Sequence, residues 1–263
     1  TLMQYNLCHA ISAGYKKAII IIQEKYKHLL SPIVEQLTRY LDIVVCIQSL
    51  SNLPAKCELP AGQSKPLGTA HALWCARDHI QDGMTIINAD DYYGEEAFVL
   101  ASKVENSQPA LIAYQLKHTL SNHGGVNRGL CEVTQESNLT AIDEIIDIVS
   151  EQGRITGQRV KDGTHLQLDE NALISMNFWV LPPDIISLIE SELLRKVTVS
   201  APNALEIFLP DVVSQYIQFH NQSVKVLTSL DLWFGVTYEA DATNVNQCLS
   251  TLTQRGEFSL FHE

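Results

Sequence analysis

Three observations predict an α/β fold with a mostly parallel, mixed sheet flanked by helices. Short aliphatic runs at residues 18–22, 42–47, 84–88 and 110–116 alternate with stretches of helical periodicity. Strands alternating with helices favour parallel pairing through helical crossovers. Gly and Pro punctuate the joints between these runs, as expected where the chain must turn. Hydrophobic residues make up 46% and charged residues 18% of the 263 positions, which suits a sizeable core and excludes wholesale disorder. A single domain over residues 1–263 is the simplest organisation for this length.

Residues 4–13 have the pattern of the last turns of a helix that stops at Gly14, since glycine commonly follows the last helical turn. The strand 18–22 follows, then a helix over 26–40 with an internal start at Ser31-Pro32, then the buried strand 42–47. Pro54, Pro60 and Gly62 mark residues 51–65 as a loop. Thr69 is placed to cap the next helix, whose Leu73, Trp74 and Ile80 share one face. The strand 84–88, a helix from Gly94 to about Val104 and the strand 110–116 complete this half. Residues 118–172 are turn-rich and polar, with a short strand at 130–133, and predict a small β-rich insertion over one side of the sheet. A strand at 173–180 precedes a helix opened by Pro182-Pro183-Asp184 and running to about Arg195. The pattern then predicts a helix over 203–219 interrupted at Leu209-Pro210, strands at 223–227 and 233–238, and a closing helix over 244–253.

The net charge of −12 and the lack of any Lys/Arg cluster argue against nucleic acid as a partner. The longest purely aliphatic run, residues 18–22, is far too short to span a bilayer, so no membrane partner is expected either. Six cysteines without a CxxC pair are expected to be reduced and largely buried, as in a cytoplasmic protein. Nine scattered histidines give no HxxxH pair. Neither set has metal-ligand spacing.

The chemistry concentrates between Leu67 and Gly94: a Gly68-Thr69 turn, a helix, an apolar strand, and Asp90-Asp91 at the strand's end. Ligands of open α/β sheets bind beyond the strand ends. A Gly-Thr turn can bring backbone N–H groups to a nucleotide, and paired carboxylates can hold Mg²⁺.

Gly68-Thr69-Ala70-His71-Ala72, followed by Asn88-Ala89-Asp90-Asp91, resembles the sugar-phosphate nucleotidyltransferases, the pyrophosphorylases that make nucleotide sugars. Residues 123–129 are similar to that family's glycine-bearing sugar loop, 174–179 to the strand lining its sugar pocket, and 233–238 to its late tryptophan segment. The resemblance covers nearly the whole chain. It implies a Rossmann-like nucleotide-binding sheet, with a nucleoside triphosphate and a sugar phosphate as reactants and Mg²⁺ as cofactor. By motif, Gly68, Thr69 and Ala70 would contact the nucleotide, and Asp90 would be catalytic and hold Mg²⁺ with Asp91. Gly125, Gly129, Asn177 and Glu144 would border the sugar, and Arg128 is a candidate for phosphate.

The chain also departs from that pattern. The family's glycine-rich loop with a basic residue, after the first strand, has no match. Thr1 enters where the helix after that loop would begin, so roughly 20–30 residues, one strand and its loop, are expected upstream. Ile145 stands where many members carry a lysine, and Gly235 where many carry a second metal-binding aspartate, with Asp231 nearby. The expected activity is nucleotidyl transfer with release of pyrophosphate, weak in a chain without the loop. A non-catalytic nucleotide- or sugar-binding relative with a regulatory or assembly role is the alternative. A metal-dependent glycosyltransferase ranks last, because Asp90-Asp91 lacks the spacer of an Asp-x-Asp element.

Overall fold

Thr1 opens the fold with a capping box: its hydroxyl accepts from the Gln4 backbone N–H while the Gln4 side chain binds back to Thr1. This satisfies helix-end donors that would otherwise have no partner. The computed structural model describes residues 1–121, 123–197, 205–220, 223–235 and 241–254. In chain order its elements are α1 (Leu2–Ser12), β1 (Lys17–Ile22), α2 (Ser31–Leu37), β2 (Asp42–Ile47), α3 (Thr69–Cys75), β3 (Met84–Ile86), β4 (Asp91–Tyr92) and α4 (Glu95–Ala101). Then follow β5 (Ala110–Gln115), β6 (Val126–Val133), β7 (Asn138–Glu151), β8 (Arg154–Arg159), β9 (His165–Leu168) and β10 (Leu173–Leu181). The remainder is α5 (Ile185–Val197), α6 (Leu209–His220), β11 (Val224–Ser229), β12 (Phe234–Gly235) and α7 (Asp241–Gln254).

The fold is mixed α/β, but the expected mostly parallel sheet is corrected. Among the described residues, eight of ten strand pairings are antiparallel; only β1–β2 and β5–β11 are parallel. An eight-stranded sheet has the order β11-β5-β10-β6-β7-β8-β9, with β3 attached to β10. Two separate two-stranded pieces, β1-β2 and β4-β12, complete the strands. Alternation of strands with helices favours parallel pairing only where a helix supplies a short crossover. Here the long excursion between β5 and β10 brings β10 back against β5 in the opposite direction. That excursion holds the β-rich segment expected at 118–172. Its first strand, β6, hydrogen-bonds to β10 through Ile174↔Leu130 and Ser175↔Gly129, so the segment extends the main sheet.

Several element boundaries shifted. Residues 26–40 divide into a 3₁₀ turn at Glu24–Leu29 and α2, with Pro32 in the first turn of the latter. The late helix starts at Leu209, where an interruption was expected, because Pro210 suits a first turn. The late strand reaches only Phe234–Gly235, and residues 236–238 lie outside the described residues.

Period-2 alternation along β10 sends Trp179 and Leu181 to one face and Phe178 and Val180 to the other. The first face packs on α3, α5 and α6 through Trp74, Ile189, Leu193, Val212 and Tyr216. The second packs on α4 through Phe98, with Tyr93, Tyr114 and Ile145. Full burial of each such side chain is worth about 1.5–3 kcal/mol.

Candidate functional site

Gly68 has φ +89°, and a Cβ there would lie 2.6 Å from the Ile207 carbonyl oxygen, so both the backbone conformation and the close approach require glycine. Around it, the Ile207 N–H donates to Leu67 O at 2.9 Å, and the Ala70 N–H donates to Ile207 O at 3.0 Å. Gln48 Nε2 donates to Gly68 O at 3.0 Å from just beyond β2. The Ala70 amide, a candidate for nucleotide contact, is thereby engaged within the protein. Thr69 is the first residue of α3 and no side-chain cap is present there. This corrects the expected capping role: the Thr69 hydroxyl instead accepts the Leu209 N–H at 2.9 Å, at the start of α6. His71 is fully buried, contacts Asn52 O at 2.9 Å through Nε2, and burial pushes its pKa down. It ties the 51–65 loop to α3.

The two aspartates differ sharply. Asp90 is exposed just beyond β3. Asp91 is half-buried, and its Oδ2 accepts from Asn88 Nδ2 at 2.9 Å and Tyr93 Oη at 3.3 Å. Burial pushes its pKa up to about 6; the Asn88 hydrogen bond opposes the shift, and the neighbouring Asp90 charge adds to it. Helix α1 holds this turn from below. Asn6 Nδ2 donates to Asp91 O at 2.6 Å, and Asn6 Oδ1 accepts from Tyr93 N–H at 3.3 Å. His9 Nε2 lies 2.9 Å from Tyr92 Oη, and burial pushes its pKa down to about 4.

Opposite Asp91 across the β4–β12 pair sits Gly235. A Cβ at 235 would lie 2.6 Å from Asp91 Oδ1, so the inward Asp91 carboxylate and a side chain at 235 compete for one space. Arg128 is 8% exposed. It donates to Thr119 O and Asn127 O and stacks 4.8 Å over the Trp233 ring. These contacts engage the guanidinium within the protein.

Two of the residues expected to border a sugar, Gly129 and Glu144, are paired across β6 and β7. Glu144, Gly129 and Ser175 are register partners across β7, β6 and β10, and Asn177 lies two residues further along β10. Asn177 sits in a bulge between Ser175 and Phe178 with φ +60°, a backbone region unusual for a non-glycine residue. Its backbone N–H donates to Ser175 Oγ at 3.4 Å, and the residue lines a cavity of about 580 Å³ also lined by Thr69, Asn88 and Ala89. Gly125, just before β6, abuts Asp147 of β7, and Glu144 is exposed. Ile145 is wholly buried in the core, leaving no place for an ammonium group.

Among the described residues no three His, Cys, Asp or Glu side chains converge as a metal site. Asn88, Tyr93 and Asn6, which set the Asp91 turn, carried no role in the sequence reading. The only sequence signal for them is the polar Asn88 at the end of an apolar strand.

No family model and no curated protein matches the sequence. Solved structures do match in fold. The inositol-1-phosphate CTP transferase of T. maritima aligns with TM-score 0.58 at 14% identity, over 91% of this chain and 78% of that one. A proposed glucose-1-phosphate thymidylyltransferase of Bacillus anthracis, in complex with a sucrose, aligns with TM-score 0.58 at 11% identity, over 94% and 81%. HddC of Yersinia pseudotuberculosis aligns with TM-score 0.50 at 12% identity, over 91% and 82%. At these identities the likeness defines the architecture: a mixed α/β fold shared with nucleotidyltransferase structures. No helix among the described residues is long and apolar enough to cross a membrane.

Proposed function

We propose that this protein transfers a nucleotidyl group from a nucleoside triphosphate to a sugar phosphate or similar alcohol phosphate. The observation that carries this reading is the convergence of Thr69, Asn88, Ala89 and Asn177 on one cavity, next in sequence to the exposed Asp90. An oxygen of the acceptor phosphate attacks the α-phosphorus. The new P–O bond forms as the bond to the β-phosphate breaks, and pyrophosphate leaves with that electron pair. Alignment and charge neutralisation do most of the work in such a displacement. The Gly68–Ala70 turn contacts the nucleotide, Asn177 orients the acceptor, and the Gly125, Gly129 and Glu144 rim borders the sugar. Asp90, with Asp91 behind it, holds Mg²⁺, which supplies charge neutralisation on the phosphates.

The test is a screen for pyrophosphate release across nucleoside triphosphates and sugar phosphates, with Mg²⁺. Asp90→Ala should lower kcat on the order of 100-fold, the scale for removing one charge-stabilising group. Full turnover in that variant would remove Asp90 from the reaction.

A second reading has its own support. Ile145 is buried where many members of the resembled family carry a lysine, and Gly235 is sterically matched to Asp91 where many carry an aspartate. A non-catalytic binder of nucleotides or sugars with a regulatory or assembly role would show Mg²⁺-independent nucleotide binding by calorimetry, with no pyrophosphate formed from any pairing of reactants.

A further inference from the structure

Tyr93 lies between β4 and α4, is fully buried, and takes no part in the steps above. Its backbone is pinned at both ends. The N–H donates to Asn6 Oδ1 at 3.3 Å, and the carbonyl accepts from Tyr114 Oη at 2.7 Å. Its ring packs edge-on against Phe178, with 5.1 Å between centroids. The hydroxyl is thereby delivered to one spot, where three groups meet it. Asn88 N–H donates to it at 3.1 Å, Met176 O accepts from it at 2.8 Å, and Asp91 Oδ2 lies 3.3 Å away. A phenol carries a single O–H hydrogen. The shorter contact assigns it to Met176 O, and Asp91 Oδ2 already accepts from Asn88 Nδ2.

Met176 O belongs to the peptide group that leads into Asn177, the residue at φ +60° in the β10 bulge. Such a conformation persists in a non-glycine residue only where its surroundings fix it. The N–H of that same peptide donates to Ser175 Oγ at 3.4 Å. The peptide is thus held at its oxygen by Tyr93 and at its nitrogen by Ser175. Asn88 and Asn177 line the same cavity, so one hydroxyl fixes two parts of its wall relative to each other. We propose that Tyr93 is a positioning residue for the acceptor phosphate: its hydroxyl holds the Met176–Asn177 peptide in the orientation that sets Asn177 beside the cavity. This rests on the nucleotidyl-transfer reading, in which Asn177 orients the acceptor. Tyr93 does not line the cavity itself and acts through Asn177.

Tyr93→Phe tests it, because the ring stays and only the hydroxyl goes. The first readout needs no activity: the three-bond coupling between N–H and Hα of residue 177, which reports φ. It should move away from its value in the parent, with amide exchange in β5 unchanged as the check that the fold is intact. In turnover, the KM for the sugar phosphate selected by the pyrophosphate screen should rise on the order of tenfold, the scale of one buried hydrogen bond. The KM for the triphosphate should stay within about twofold, since its contacts lie on the Gly68–Ala70 turn. A hydroxyl that served only stability would not split the two constants. Ser175→Ala removes only the longer of the two holds on the peptide. It should shift both readouts the same way by less, and it decides the matter if Tyr93→Phe does not fold. An unchanged coupling, or a changed coupling with both KM values moved alike, would overturn the proposal. Absence of turnover with every pair of reactants would overturn the nucleotidyl-transfer reading instead, while the coupling at residue 177 still decides whether Tyr93 holds the bulge.

Discussion

β1 and β5 are nearly equivalent as sequences and quite different as parts of the molecule. Residues 18–22 are purely aliphatic and 110–114 almost so. Yet Ala110, Leu111, Ile112, Ala113 and Tyr114 are all 0% exposed, whereas in β1 only Ile20 is buried. β5 has β10 on one edge and β11 on the other, with helices against both faces. Among the described residues β1 has one strand partner, β2, and residues of β1 line the cavity. Hydrophobicity qualifies a strand for the interior, but two covered edges and two covered faces put it there.

The largest effect should separate these two strands. Ile112→Ala should cost about 2–5 kcal/mol in urea denaturation, the range for a fully packed aliphatic residue. Ile19→Ala in β1 should cost less than half as much. Equal losses would show that β1 is as well enclosed as β5.

The β4–β12 junction comes next. Gly235→Asp should cost about 1–3 kcal/mol, because the new side chain meets Asp91 Oδ1. Adding Asp91→Ala should recover most of that loss, since the two residues compete for one space. A double variant no better than Gly235→Asp alone would mean that the Trp233 ring, 3.1 Å from a Cβ at 235, sets the limit instead.

Asp91 also gives this junction a pH signature. Its pKa stands at about 6 in the folded chain against an ordinary 3.8. Between those values the folded state holds a proton that the unfolded state has released, so stability falls as pH rises through the window. Asp91→Asn should remove that slope from the pH dependence of the denaturation midpoint, while Asp90→Asn leaves it largely in place. A slope unchanged by Asp91→Asn would assign it to another group.

The smallest effect on stability belongs to the rim. Glu144 is exposed, so Glu144→Gln should stay within about 0.5 kcal/mol of the parent. The same variant should weaken sugar-phosphate binding in calorimetry. Unchanged binding would leave Glu144 as surface charge.

Most elements were legible in the sequence because their causes are local. Aliphatic runs, the Ser31-Pro32 start and the proline opening before α5 each act within a few residues. Thr69 and Asn177 line one cavity, and Gly129 and Glu144 pair across adjacent strands, placements that no local signal in the sequence specifies. Arg128 could not be placed from its neighbours, because its setting depends on Thr119 O and on Trp233, which is distant in sequence. The glycine at 68 has the same kind of cause: its required space is taken by Ile207.

Residue order alone thus sufficed for the α/β class and the positions of most strands and helices. Strand direction, the separation of the β1–β2 pair from the larger sheet among the described residues, and the inward turn of Asp91 came from contacts between residues far apart in the chain. Propensity, capping and hydrophobic period act over one or two turns, whereas pairing direction and burial are settled when distant surfaces compete for the same partner.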